Sequence, residues 1–93
     1  SGETETRYNF DKIDEVPGDV IEKLVLGMLA SYGTTAEDDL KQAVSRQLGF
    51  KRTGKNIVAR LDHSIESLIR ERKLIRVDGD FLKLNGEQGK NYA

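Results

Sequence analysis

The chain has 93 residues, 37% of them apolar and 33% charged, and a formal net charge of −1. That length supports one domain with a core and leaves no room for two. With no cysteine and a single histidine, His63, it excludes disulfides, thiolate chemistry, Cys-based zinc sites and multi-histidine metal centres.

No apolar run approaches the roughly 18–20 residues that span a bilayer, and no stretch reads as a signal peptide. A cytoplasmic protein is therefore expected, with no membrane association, no cofactor and no small-molecule substrate. The chain begins Ser1-Gly2 rather than with Met, as expected of a piece of a longer protein behind a cloning scar. Its charge is unevenly spread. Residues 1–22 carry seven acids against two bases, a net of −5, whereas residues 40–76 carry ten bases against three acids, a net of +7. A near-neutral protein with one basic half is a candidate for polyanion binding through that half, or simply has a solvated helix face there.

Residues 1–16, "SGETETRYNFDKIDEV", are acidic and lack a sustained period, which predicts a flexible lead-in; Tyr8, Phe10, Ile13 and Val16 are available to pack on the domain. Pro17 opens a first helix over 17–32, since its missing N–H costs nothing there. Val20, Ile21, Leu24, Val25, Met28 and Leu29 form its apolar stripe, with Met28 as filler, and Gly33 ends it. Thr35 is a good N-cap for a second helix over 36–48, with Asp38 three residues on. The acids Glu37, Asp38 and Asp39 suit the positive end of the helix dipole, so a metal or acid–base site is not needed to explain them. Leu40, Ala43, Val44 and Leu48 face inward; Gly49 stops the helix and Phe50 folds back onto its last turn.

A third helix follows over 56–72, with Ile57, Val58, Leu61, Ile65, Leu68 and Ile69 inward. "KLIRVDGDFLKL" then predicts a hairpin about Asp78-Gly79 with a two-residue type I′ turn. The expected fold class is α+β, mostly α: a winged helix-turn-helix, three helices followed by a short β-hairpin wing. Its domain is expected over 17–85, with a disordered tail at 86–93.

Residues 49–56, "GFKRTGKN", fit the phosphate-loop pattern G-x-x-x-x-G-K, with Asn56 where Ser or Thr should ligate magnesium. Such loops leave a buried strand and enter a helix, whereas a helix precedes this one. A basic loop ahead of a basic helix accounts for more of the residues. Advancing about 100° per residue, with the apolar stripe inward, puts Asn56, Ala59, Arg60, His63, Ser67 and Arg70 on the outward face. Asn56 can bind adenine bidentately, and Arg60, His63 and Ser67 can donate hydrogen bonds to base edges. Lys51, Arg52 and Lys55 suit phosphate contacts, which give affinity and register rather than sequence choice. The candidate DNA-binding set is therefore Lys51, Arg52, Lys55, Asn56, Arg60, His63, Ser67 and Arg76. Simpler roles stand beside these. Asn56 is a good N-cap, His63 is an exposed helix residue, and Arg70 can pair with Glu66 at i, i+4. His63 follows Asp62 directly, so the two point apart, and no nucleophile–base–orienter set is visible; no enzymatic activity is expected.

Residues 20–82, about two-thirds of the chain, carry a resemblance. Its most specific part is Leu48-Gly49-Phe50-Lys51-Arg52-Thr53-Gly54, then a basic helix, then the closing Gly79-Asp80-Phe81-Leu82. The chain resembles a winged-helix domain of unassigned function found towards the C-terminal end of large bacterial proteins. Those proteins carry a superfamily 1 helicase-type ATPase, often with an endonuclease-like domain. Relatives tend to have Gly-Pro and an aliphatic residue where this chain has Gly33-Thr34-Thr35, and often an aromatic where it has Lys83. The resemblance implies an accessory DNA-binding role in a DNA-processing or defence enzyme, with weak binding, duplex favoured, and contacts to other domains of the parent protein. It carries no activity onto this chain, since neither motor nor nuclease residues are present. The alternative is a protein-docking module that uses the same fold without nucleic acid.

Overall fold

A computed structural model of the protein describes residues 8–86. The tail expected to be disordered lies outside the described residues from 87 on, as do residues 1–7 of the lead-in. Three helices and a three-stranded antiparallel sheet make a mostly helical α+β fold, compatible with the winged helix expected above.

Pro17 is the N-cap of α1 (Gly18–Tyr32), and Gly33, at φ 77°, closes it. Ile21, Val25 and Leu29, four residues apart, bury one stripe of α1. Leu40, Val44 and Leu48 do the same for α2 (Glu37–Gln47), and Leu61, Ile65 and Leu68 for α3 (Lys55–Arg70). The hairpin of β2 (Leu74–Val77) and β3 (Phe81–Leu84) adds Leu74 and Leu82 to this core. No described helix is long and apolar enough to cross a membrane.

Four local expectations need correction. A short strand, β1 (Thr35–Ala36), pairs with β3 through Thr35↔Leu82 and Ala36↔Phe81, so the sheet order is β1-β3-β2. Thr35 is therefore a strand residue rather than the cap of α2. The N-cap is Ala36, without a side-chain bond, and the Thr35 hydroxyl instead donates to the Gly33 carbonyl (2.9 Å). The hairpin loop holds three residues, Asp78 to Asp80, because Val77 pairs with Phe81. The left-handed pair expected at Asp78-Gly79 is present, with φ 52° and 83°. Finally, α3 stops at Arg70 rather than 72.

The lead-in is the largest correction. From residue 8 it is part of the domain. The Tyr8 and Phe10 N–H groups donate to the carbonyls of Gln47 and Leu48 (3.1 Å each), and the Tyr8 and Phe10 rings stack 5.7 Å apart. A single 3-10 turn, Ile13–Glu15, then drives Ile13 and Val16 into the core at 5% and 1% exposure. Two deeply buried aliphatic side chains, at about 1.5–3 kcal/mol each, outweigh the polar character of the residues between them.

The end of α2 makes this docking possible. Gly49 N–H donates to Arg46 and Phe50 N–H to Ser45, the paired bonds of a Schellman motif with Gly49 in the left-handed position at φ 102°. A Cβ on Gly49 would stand 2.7 Å from the Tyr8 carbonyl oxygen. The end of α3 repeats the motif, Arg72 N–H to Ile69 and Lys73 N–H to Leu68, but places Arg72 at φ 63°. The two ends give opposite predictions. Gly49→Ala combines backbone strain with a clash and should cost about 2 kcal/mol or more, loosening residues 8–16. Arg72→Gly should stabilise by about 0.5–1 kcal/mol by relieving left-handed strain. Urea unfolding midpoints, with amide exchange over residues 8–16 for Gly49→Ala, check both.

Candidate nucleic-acid interface

The loop 49–54 delivers the chain to α3 with Lys51 and Arg52 exposed. Gly54, extended at ψ 179°, is the N-cap of α3, and no side chain caps the helix. The expected cap role for Asn56 is therefore not taken up. It sits in the first turn, exposed, beside exposed Lys55. Lys51, Arg52 and Lys55 form no ion pair among the described residues, so three cations stand without a counter-ion around a helix start whose first N–H groups carry partial positive charge.

The outward stripe of α3 is placed as expected for Asn56, Ala59, His63 and Arg70, all exposed. Ser67 is half-buried and accepts from Arg70 Nη2 (3.0 Å). That bond replaces the expected Arg70–Glu66 pair, because Glu66 is bound elsewhere.

Two arginines of the candidate set are bound within the fold. Arg60 Nη2 donates to the Val16 carbonyl (3.2 Å), and Nη1 reaches the hydroxyl of Ser64, which is 3% exposed (3.4 Å). Its guanidinium ties α3 to the segment that precedes α1. Arg76 lies opposite Leu82 in the β2–β3 ladder and so on the core-facing side of the sheet, where it spans two carboxylates. Its Nη2 lies 2.7 Å from Glu66 and 3.1 Å from Glu37, and its Nε donates to Glu37 as well (3.3 Å). Lys41 completes the cluster, pairing with Asp62 and, at 3.4 Å, with Glu37. Two of the ten bases that make residues 40–76 basic are thus spent on clamping α2, α3 and β2 together.

Sequence reasoning missed the acids at this face. Asp14 shares a shallow concavity with Asn56, Ala59, Arg60 and His63, and Asp11 and Asp14 share a second with Lys55 and Asn56. The signal that could have located them was the apolar series Tyr8, Phe10, Ile13, Val16, which commits the lead-in to the core and carries its acids with it. Among the described residues no group of three or more His, Cys, Asp or Glu side chains could hold a metal ion.

Burial pulls the Lys41 ammonium down, but the hydrogen bonds and charges of Asp62 and Glu37 more than offset it and leave its pKa above the usual 10.5. A raised lysine pKa means stabilisation that is complete below pH 10.5 and lost as pH climbs through the folded-state value. Lys41→Met should therefore cost about 1 kcal/mol between pH 7 and 10, with the deficit shrinking at higher pH. Urea unfolding of both chains across that range tests it. In comparisons with known proteins, the chain matches no family model, no curated protein and no solved structure.

Proposed function

We propose that this chain is a winged helix-turn-helix that binds DNA as an accessory module of a larger DNA-processing protein, without chemistry of its own. The observation that carries the reading is the set of cations Lys51, Arg52 and Lys55, without an ion pair among the described residues, gathered at the start of α3, where Gly54 caps the helix without a side chain. Phosphate answers both features at once, the side-chain charge and the partial charge of the helix terminus. Asn56, exposed in the first turn, and His63, exposed two turns on, then face the bases, with Arg70 further along the same stripe. Arg60 and Arg76 take structural roles in this reading, which reduces the electrostatic contribution and favours weak binding, of order 10⁻⁴ to 10⁻⁶ M at physiological salt.

A docking module remains the second reading, favoured by the outer face of the sheet. The ladder register sets Ile75, Val77, Phe81 and Lys83 on the side away from Leu82, and Phe81 is 40% exposed. An aromatic held at a sheet surface among aliphatic residues suits a protein partner.

An NMR titration with a short duplex at low and moderate salt separates the two. Shifts centred on residues 51–63 are expected for DNA; if duplex and single strand both leave 51–70 unmoved at low salt, the docking reading replaces it. Substituting Gln at Lys51, Arg52 and Lys55 together should weaken binding to every sequence. The salt dependence should flatten by roughly 0.9 log units for each phosphate no longer neutralised. Asn56→Ala should instead change preference among sequences by about 1–3 kcal/mol. Because Gly54 caps the helix, that variant should melt close to the parent protein, so a changed preference reports a base contact.

A further inference from the structure

The segment before α1 joins two properties that neither the fold nor DNA binding requires together. It is fastened to the domain at both ends, by the Tyr8 and Phe10 N–H bonds to the end of α2 and by Arg60 on the Val16 carbonyl. Between those fastenings it exposes Asp11, Lys12, Asp14 and Glu15, three carboxylates against one ammonium. Ile13 and Val16 are fully committed to the core, so these carboxylates are held in place instead of trailing in solvent. Asp11 lines a concavity with Lys12, Lys55 and Asn56, and Asp14 lines both that one and the one with Asn56, Arg60 and His63.

We propose that residues 8–16 form an acidic strap that restrains nucleic-acid binding at α3. Asp11 and Asp14 set negative charge along the flank where phosphate must approach, and the Val16 carbonyl holds the Arg60 guanidinium away from base edges. The proposal rests on the DNA reading above and adds a built-in restraint to it. Asp11 and Asp14 form no ion pair among the described residues; Lys12, exposed between them in the same concavity, offsets part of their charge and leaves residues 11–15 at a net of −2. At low salt the Debye length is about 10 Å or more, which brings both carboxylates within reach of a strand lying along α3. Like charges juxtaposed across an interface oppose association. The strap is a small device energetically. A few backbone bonds, one arginine, the core residues Ile13 and Val16 and the half-buried Tyr8 and Phe10 hold it.

The test uses the whole chain and a short fluorescent duplex, with binding followed by anisotropy. Asp11→Asn with Asp14→Asn removes two charges and keeps side-chain shape; both residues are exposed, so the melting midpoint should match the parent. The dissociation constant should fall by about threefold to tenfold at low salt, and the gain should shrink as salt rises. Asp38→Asn with Asp39→Asn makes the same change in net charge at the start of α2, outside both concavities, and should shift binding by less than about twofold. If the strap variant binds no better than the parent, or only as well as the α2 control, the strap proposal is overturned while the DNA reading stands. If neither the parent nor the strap variant binds duplex at low salt, both fall.

Discussion

Burial of one face of α3 is the constraint on which the rest of this protein depends. α1, α2, β2 and the 3-10 turn all pack against that helix, and Leu61, Ile65 and Leu68 are the side chains they surround. Truncating a leucine of this kind typically costs about 2–5 kcal/mol, a large share of what a small domain has. Once those three residues point inward, the helix has no rotational freedom left. Asn56, Ala59 and His63 must face solvent, and Asp62 and Glu66 fall on the flank where Lys41 and Arg76 reach them.

The distribution of charge follows from that orientation. Cations near the seams between elements find carboxylates: Lys41 between Asp62 and Glu37, Arg76 between Glu37 and Glu66. Lys51, Arg52 and Lys55, exposed in the loop and at the first residue of α3, find none among the described residues. A molecule with almost no net charge can therefore still present one concentrated cationic site. Among the acids, Glu37, Asp62 and Glu66 form the ion-pair cluster that holds the helices together, and Asp11, Asp14 and Glu15 lie in the segment before α1, beside α3.

Arg60 links α3 to the segment before α1. Its guanidinium leaves the outward stripe of α3 to meet the Val16 carbonyl and the Ser64 hydroxyl, so a residue well suited to reading a base serves as a strut. The half of α3 nearest the basic loop consequently shows Asn56 and His63 as its polar contacts, with Ala59 between them. On the proposed DNA-binding reading, phosphate contacts from the loop would supply most of the affinity, and one amide and one imidazole the discrimination.

The sequence by itself determined the three helices, their inward faces, the hairpin and the exposed basic loop. Each rests on short-range physics: the 3.6-residue stripe of Ile21, Val25 and Leu29, the left-handed stops at Gly33 and Gly49, and the left-handed pair at Asp78-Gly79. What the tertiary structure decided depends on partners far along the chain. β1 is a strand only because β3 is beside it. The 8–16 segment is ordered only because Gly49 leaves room for Tyr8 and the core has places for Ile13 and Val16. Past the end of α3, Asn85 reaches back to the Arg72 and Lys73 carbonyls, and no glycine marks that turn in the sequence. Arg60 and Arg76 were assigned to DNA from helix angle and net charge, yet a cation's role is set by the acceptor nearest in space. Val16 lies 44 residues from Arg60, and Glu37 lies 39 from Arg76, separations that no local pattern encodes.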